Sequence, residues 1–383
     1  MLVGLLFLAT VFLAYTNGAN DNFKGVATLV CSGVLKFKSA LVLTTIMTLA
    51  GGLLSVYFAD TLVNTFSGKG LMPEDFTISV EFLLAISLGA GVTVLIATLL
   101  GLPISTTHSL TGALVGAGFV AAGSQMNFSV LGSAFMLPLL ISPIIAVLLS
   151  VSIYLVYKTV KNVFFTESSY GAFATETNSS ECAIPVDNAQ MGNTRMDNAR
   201  MDNALLSDSG HPNKGMNTHE TSDGDAGGGG SHAGFSLTNS VHILSAAVVC
   251  FARGLHDTPK IIALIVIIEW LNIEAGIYVI AISMAVGGVL SIKKVATTLG
   301  QKVTTLEPNQ GVIANLVTGF LVLFASKLGV PVSTTHVSVG AMAGIGLLVG
   351  TANTRVLRTI GLSWCLTLPI SAALAAIIYL VIG

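Results

Sequence analysis

Apolar runs of spanning length recur along the chain at 39–59, 78–100, 130–157, 261–290, 312–328 and 360–382 and predict six membrane helices; about 20 residues are enough to cross ~30 Å of hydrocarbon. Between them lie stretches that stay apolar but are interrupted by Gly, Pro or clusters of Ser, Thr, Asn and Asp, at 1–35, 101–123, 238–260 and 329–350. Irregular backbone at membrane depth survives only where protein or a water-filled cavity satisfies its polar groups, so these predict discontinuous or re-entrant helices. Residues 166–236 break the pattern: they are rich in Asn, Ser, Gly and Asp, contain MDNARMDNA and close on DGDAGGGGSH. So little apolar content cannot offset the entropy of ordering, and the segment reads as a disordered hydrophilic linker.

Sliding the chain on itself reveals an internal repeat. At an offset of +236, Gly18, Asp21, Lys24 and Ala27 fall on Gly254, Asp257, Lys260 and Ala263, and Gly51 and Gly52 on Gly287 and Gly288. At +228, GLPISTTHSLTGALVGAG (101–118) falls on GVPVSTTHVSVGAMAGIG (329–346). A looser echo sets Leu137-Pro138 against Leu368-Pro369. The fold class is therefore an all-α polytopic membrane protein of two homologous repeats, 1–165 and 237–383, joined by the linker at 166–236. Repeated halves with paired broken helices point to a secondary transporter whose site lies at the repeat interface near the bilayer midplane. If each half crosses the membrane an odd number of times, the repeats are inverted.

Composition agrees with a lipid-solvated chain: 53% hydrophobic, 9% charged, mean hydropathy +0.82. Soluble domains carry about 25% charged residues, so soluble enzymes and nucleic-acid binders are excluded and the bilayer is the first partner. The net charge of -2 conceals an uneven distribution, because 166–236 holds ten acids and three bases. Nine acids and fourteen bases remain in the repeats, a net +5 that suits an anionic cargo or anionic headgroups. The scattered cysteines Cys31, Cys182, Cys250 and Cys365 imply neither a disulfide frame nor a metal box. MLVGLLFLATVFLAY lacks the basic head of a signal peptide and reads as a retained membrane segment. Lys158 and Lys161 before the linker favour its placement on the cytoplasmic side.

Two motifs carry the chemistry. In GLPISTTH and GVPVSTTH a Gly-x-Pro stops one helix and Ser/Thr cap the next, so Ser105, Thr106, Thr107, Ser333, Thr334 and Thr335 sit at helix starts. Free N–H groups and roughly +0.5 of dipole charge make such starts anion sites, and two of them would cradle a tetrahedral oxyanion. In NGANDNFKG and RGLHDTPKI, Asp21 and Asp257 lie at membrane depth beside Gly and other polar groups, the setting for cation coordination. Asn20 and His256 hold equivalent positions and either donate to the anion or orient the cation ligands. Hard oxygen ligands suit Na+ or a bound proton. Divalent phosphate with two carboxylates carries about four negative charges against roughly one positive from two helix dipoles, so cations travel with the anion. Lys24 and Lys260, one turn after each Asp, offer an internal neutralisation instead, or stabilise the helix. Glu81, at the head of an apolar helix, is an accessory cation ligand or an interfacial carboxylate. His108 and His336 fit binding better than a nucleophilic triad, and no catalytic residue is assigned. Gly112, Gly116, Gly118, Gly340, Gly344 and Gly346 read as close-packing positions.

GANDNFKG with GLPISTTH, repeated as GLHDTPK with GVPVSTTH across a long hydrophilic linker, resembles the inorganic phosphate transporter (PiT) family over both halves. The resemblance implies inverted repeats, alternating access, a phosphate site at the two STTH helix starts and cation sites around the two Asp. The text departs from the family's GANDVANA at Asn22, Phe23, Lys24 and Gly25, and at Leu255-His256, with both Asp in place. The expectation is a phosphate importer of the cytoplasmic membrane using cation symport, not an enzyme. Na+ is favoured at Asp21 and Asp257 because amide and hydroxyl oxygens abound there; H+ or metal-phosphate coupling, and sulfate as cargo, are the alternatives. No cofactor beyond the transported ions is implied, and a homodimer is compatible with a sequence that locates no interface.

Overall fold

A computed structural model describes residues 1–58, 60–68, 70–165, 237–268, 271–291 and 293–383; the expected linker at 166–236 lies outside them. The interrupted N-terminal stretch forms α1 (Leu2–Asp21), a 3-10 turn at Asn22–Gly25 and the short α2 (Ala27–Cys31). Then come α3 (Phe37–Leu54), α4 (Asp60–Phe66), α5 (Val80–Leu99) and α6 (Thr106–Ala122). A single turn, α7 (Phe128–Val130), runs through a π segment at Leu131–Met136 into α8 (Leu137–Phe165). The second half holds α9 (Leu237–Ile262), α10 (Ile273–Ser291), α11 (Lys293–Thr297), α12 (Pro308–Leu328), α13 (Thr334–Val349) and α14 (Thr354–Ile382). Among the described residues the one isolated β-bridge joins Thr304 to Ala352.

Helix stops follow local chemistry. After α5 and α12 the chain turns at Gly101 (φ 71°) and Gly329 (φ 66°), a left-handed conformation that a Cβ would strain. Extended residues 102–105 and 330–333 then lead into α6 and α13. At the other end of α12, Glu307 and Gln310 form a reciprocal capping box with Pro308 in the first turn.

Two expectations are corrected. The apolar run 261–290 is not one helix: α9 takes Ile261 and Ile262, turns occupy 263–267, and α10 starts only at Ile273. Ile261, Ile262, Ala263, Leu264 and Ile265 are all buried, so their apolar character reports core packing and not helical extent. The stretch 238–260 is not discontinuous either, since α9 continues through Gly254 and Pro259. Pro259 stands in the last turn, where its missing N–H leaves the Leu255 carbonyl without its helical donor and the helix ends three residues later.

Seven helices among the described residues are long and apolar enough to cross a membrane: α1 with its 3-10 turn, α3, α5, the α7–α8 rod, α10, α12 and α14. Helix α9 has 26 residues, about 39 Å at 1.5 Å per residue, and holds Arg253, Asp257 and Lys260 buried against protein. Outward-facing Leu140, Ile144 and Leu148 on α8, and Leu362, Leu366 and Ile370 on α14, present apolar surface suited to lipid.

The halves interlock by exchanging partners. Helix α1 packs on α5 and α10, α9 on α12 and α3, α6 on α14 and α13 on α8. Glycines permit these approaches. The Met284 carbonyl fills the space a Cβ would need at Gly18, and the Thr48 carbonyl does so at Gly254. Gly51 meets Phe251 in the same way, and Gly287 meets Tyr15. Each contact maps onto its counterpart by the +236 offset, so the repeat is a symmetry of the packing. Gly112 and Gly116 lie on Leu368 and Ala372, and Gly340 and Gly344 on Pro143 and Val147. The last helices therefore align Pro143 with Leu368, not through the Leu137-Pro138 echo. Gly51→Leu is expected to destabilise the fold by roughly 1–3 kcal/mol or more, read as a lower melting temperature in detergent. An unchanged melt would mean that α3 and α9 can separate freely.

Candidate functional site

The helix starts form as the sequence predicts. Ser105 Oγ accepts from the His108 amide at 3.1 Å, and Ser333 Oγ from the His336 amide at 3.1 Å. The first amides of α6 and α13 have no partner within their own helix turn, as at any N-terminus. The rings of His108 and His336 meet with centroids 4.3 Å apart, which brings the two starts together. His336 also lies tilted against Trp364, ring centroids 3.8 Å apart, and the Trp364 indole donates to the Pro103 carbonyl at 3.1 Å.

At the end of α1, Lys24 Nζ donates to Asp21 Oδ1 and to Thr335 Oγ1 of the other half. It also reaches the Ile104 carbonyl at 2.8 Å and Asn20 Oδ1 at 3.3 Å. Asp21 Oδ2 accepts from Thr106 Oγ1 and Asn17 Nδ2, each at 3.3 Å. Asn20 anchors the extended strap before α6: its amide donates to Leu102 O and Thr98 Oγ1 at 3.0 Å, and its Oδ1 accepts from Ile104 N at 3.1 Å.

The second half repeats this arrangement with partners exchanged. Lys260 Nζ donates to Asp257 Oδ1 at 2.9 Å, Thr107 Oγ1 at 2.8 Å and the Val332 carbonyl at 3.3 Å. His256 takes the place of Asn20: Nε2 donates to Val332 O at 3.1 Å, which leaves Nδ1 to accept from Ser326 Oγ at 2.9 Å. Each lysine thus bonds its own aspartate, the threonine of the opposite repeat and a strap carbonyl.

One position breaks the symmetry. Where α1 carries Asn17, α9 carries Arg253, which is 2% exposed and has no hydrogen-bond partner for Nε or either terminal nitrogen among the described residues. Asp257 Oδ2, one turn further along α9, also lacks a partner among them. Asn17 by contrast donates to Thr106 Oγ1 at 3.0 Å. Sequence reasoning passed over Arg253, although a guanidinium inside an apolar helix is a functional candidate by default.

The structure gathers Asn20, Asp21, Ser105, Thr106, Thr107, His256, Asp257, Ser333, Thr334 and Thr335 into one seam, each no more than 6% exposed. Glu81 does not join them. It lies in the first turn of α5, whereas Thr98, which touches Asn20, lies in the last; 17 residues of helix separate the two by about 25 Å. With all groups ionised the seam holds two carboxylates against Lys24, Lys260 and Arg253, a fixed balance of +1 where the aspartates alone gave -2. The internal neutralisation open to Lys24 and Lys260 is the arrangement found.

A buried, two-fold seam of helix starts and ion pairs inside a repeated helical membrane fold defines a carrier of small anions. A family model described as the phosphate transporter family matches residues 17–375, and the chain belongs to that family. It is 27% identical to an inorganic phosphate transporter 2-1, chloroplastic, of Arabidopsis thaliana, over 96% of this chain and 70% of that protein. It is also 27% identical to a putative phosphate permease of Haemophilus influenzae, over 97% of this chain and 94% of the relative. A solved structure of a sodium-dependent phosphate transporter shares the fold, with TM-score 0.73 and 20% identity over 99% of this chain and 98% of that one.

Proposed function

We propose that this protein carries inorganic phosphate across the cytoplasmic membrane by alternating access, holding the anion between Arg253 and the paired starts of α6 and α13. The observation that carries this reading is the unpartnered, buried guanidinium in a seam of net +1. A planar fork of donors matches a phosphate oxygen pair, and the amides and hydroxyls of Thr106, Thr107, Thr334 and Thr335 complete a tetrahedral shell. All these groups are sealed, so phosphate enters only when the interlocked halves part towards one side, and leaves when they part towards the other.

Inversion of the halves is supported by direction. Gly112 and Gly116 meet Leu368 and Ala372 in step, so α6 and α14 run the same way. A chain brought to one surface by α6 must recross through α8, which sets α8 against its counterpart α14. Lys158 and Lys161 at the end of α8 favour a cytoplasmic position for that end.

For the driving ion, sodium symport anchored at Asp21 and Asp257 is the scheme supported by the likeness to a sodium-dependent phosphate transporter. It requires the ammonium groups of Lys24 and Lys260 to leave those carboxylates during the cycle. The two ion pairs favour a second scheme, in which the lysines stay in place.

Radiolabelled phosphate uptake into proteoliposomes tests the reading. Uptake against excess sulfate is expected to persist, and Thr107→Val with Thr335→Val to reduce it about tenfold, since each valine removes a hydroxyl of the phosphate shell, worth roughly 0.5–1.5 kcal/mol, together with an acceptor of Lys260 or Lys24. Uptake abolished by sulfate would reassign the cargo.

A further inference from the structure

We infer that Lys24 and Lys260 are the resident counter-cations of this carrier: their ammonium groups fill the two positions that a coupling sodium would take, and phosphate passes with no sodium bound at either. The inference rests on the phosphate reading above.

The surroundings of each ammonium are those of a hard cation. Lys24 Nζ faces a carboxylate oxygen of Asp21, the amide oxygen of Asn20, the Ile104 carbonyl and the Thr335 hydroxyl. Lys260 Nζ faces the Asp257 carboxylate, the Thr107 hydroxyl and the Val332 carbonyl. Carboxylate, carbonyl and hydroxyl oxygens of this kind suit a sodium ion, and they come from both repeats in both cases. Each lysine stands three residues after its aspartate, with only 1–2% of its surface exposed.

A sodium ion entering either position would have to displace an ammonium into sealed protein. An uncompensated buried charge is strongly unfavourable. Electrostatics points the same way. The fixed balance of +1 is already matched by a singly charged phosphate, and two sodium ions would raise the empty seam to +3. The bonds from each lysine to the threonine of the opposite repeat also tie the carrier's closed form together without any ion being loaded. Phosphate then moves without a sodium partner, and neither lysine unbinds from its aspartate to admit one.

Full-length protein in proteoliposomes tests this by phosphate uptake in sodium, potassium and choline salts, with labelled sodium flux followed alongside. Equal initial rates in the three salts, with no sodium entering with phosphate, are expected. Uptake that requires sodium and admits it in fixed proportion overturns the inference. A second arm measures sodium binding directly, as the shift in melting temperature with sodium over potassium in detergent. Wild type is expected to show no shift. Lys24→Asn with Lys260→Asn, which removes both charges and keeps an oxygen at each position, is expected to gain a saturable rise by mass action. A sodium-specific shift in wild type, or none in a double variant that still melts cooperatively, overturns it. If phosphate enters in no salt, the phosphate reading falls, and the binding arm still decides whether the lysines occupy cation positions.

Discussion

Arg253→Gln is expected to abolish phosphate uptake while raising the melting temperature of the unloaded protein. The guanidinium is 2% exposed and has no hydrogen-bond partner among the described residues. Keeping a guanidinium out of water with none of its donors satisfied is unfavourable, so its removal relieves the empty carrier. The same removal strips the seam of its anion anchor. Charge-assisted hydrogen bonds contribute about 1.5–3 kcal/mol each, so losing a bidentate pair weakens phosphate by roughly 100-fold or more. Melting curves with and without phosphate, together with uptake, give both halves of the result. A variant that melts lower and still transports would make Arg253 a structural residue.

Asp257→Asn is expected to be the most destabilising single change in the seam, and worse than Asp21→Asn. Removing Asp21 strands Lys24, whose remaining acceptors are neutral oxygens. Breaking a buried pair in this way costs about 3–5 kcal/mol. Removing Asp257 strands Lys260 and also withdraws the carboxylate that lies one turn from Arg253 on α9. Adding Lys24→Met to Asp21→Asn is expected to recover much of the lost stability, because the pair then leaves together. Thermal melts of the two single variants and this double variant check the order. Equal melting temperatures for Asp21→Asn and Asp257→Asn would show that Arg253 does not share the field of Asp257.

Much of this organisation was legible because it rests on local chemistry or on the repeat. Gly101, Pro103 and Ser105, with Gly329, Pro331 and Ser333, stop and start helices through their own backbone and hydroxyl geometry, and the structure keeps both caps. Gly112, Gly116, Gly340 and Gly344 announce close approach by lacking a side chain, although their partners come from the other half. What stayed hidden depends on tertiary contacts. The end of α9 at Ile262 cannot be read from a run whose next residues are equally apolar, since burial and helix formation leave the same mark there. The reach of Lys24 to Thr335, across 311 residues of sequence, follows from the exchange of helices between halves. Arg253 belongs to no motif shared by the repeats, because Asn17 holds its place in the first half, and a search for matching positions passes over it. Glu81, read as an accessory cation ligand or an interfacial carboxylate, is carried away from the seam by the length of its helix, which removes the first of the two readings.

The most direct test of the central claim is an experimental structure of the full chain with phosphate bound. Phosphate is expected between the starts of α6 and α13, with the Arg253 guanidinium on two of its oxygens and the hydroxyls of Thr107 and Thr335 within hydrogen-bond reach. Phosphate bound elsewhere, with Arg253 still unpartnered in a closed seam, would contradict it.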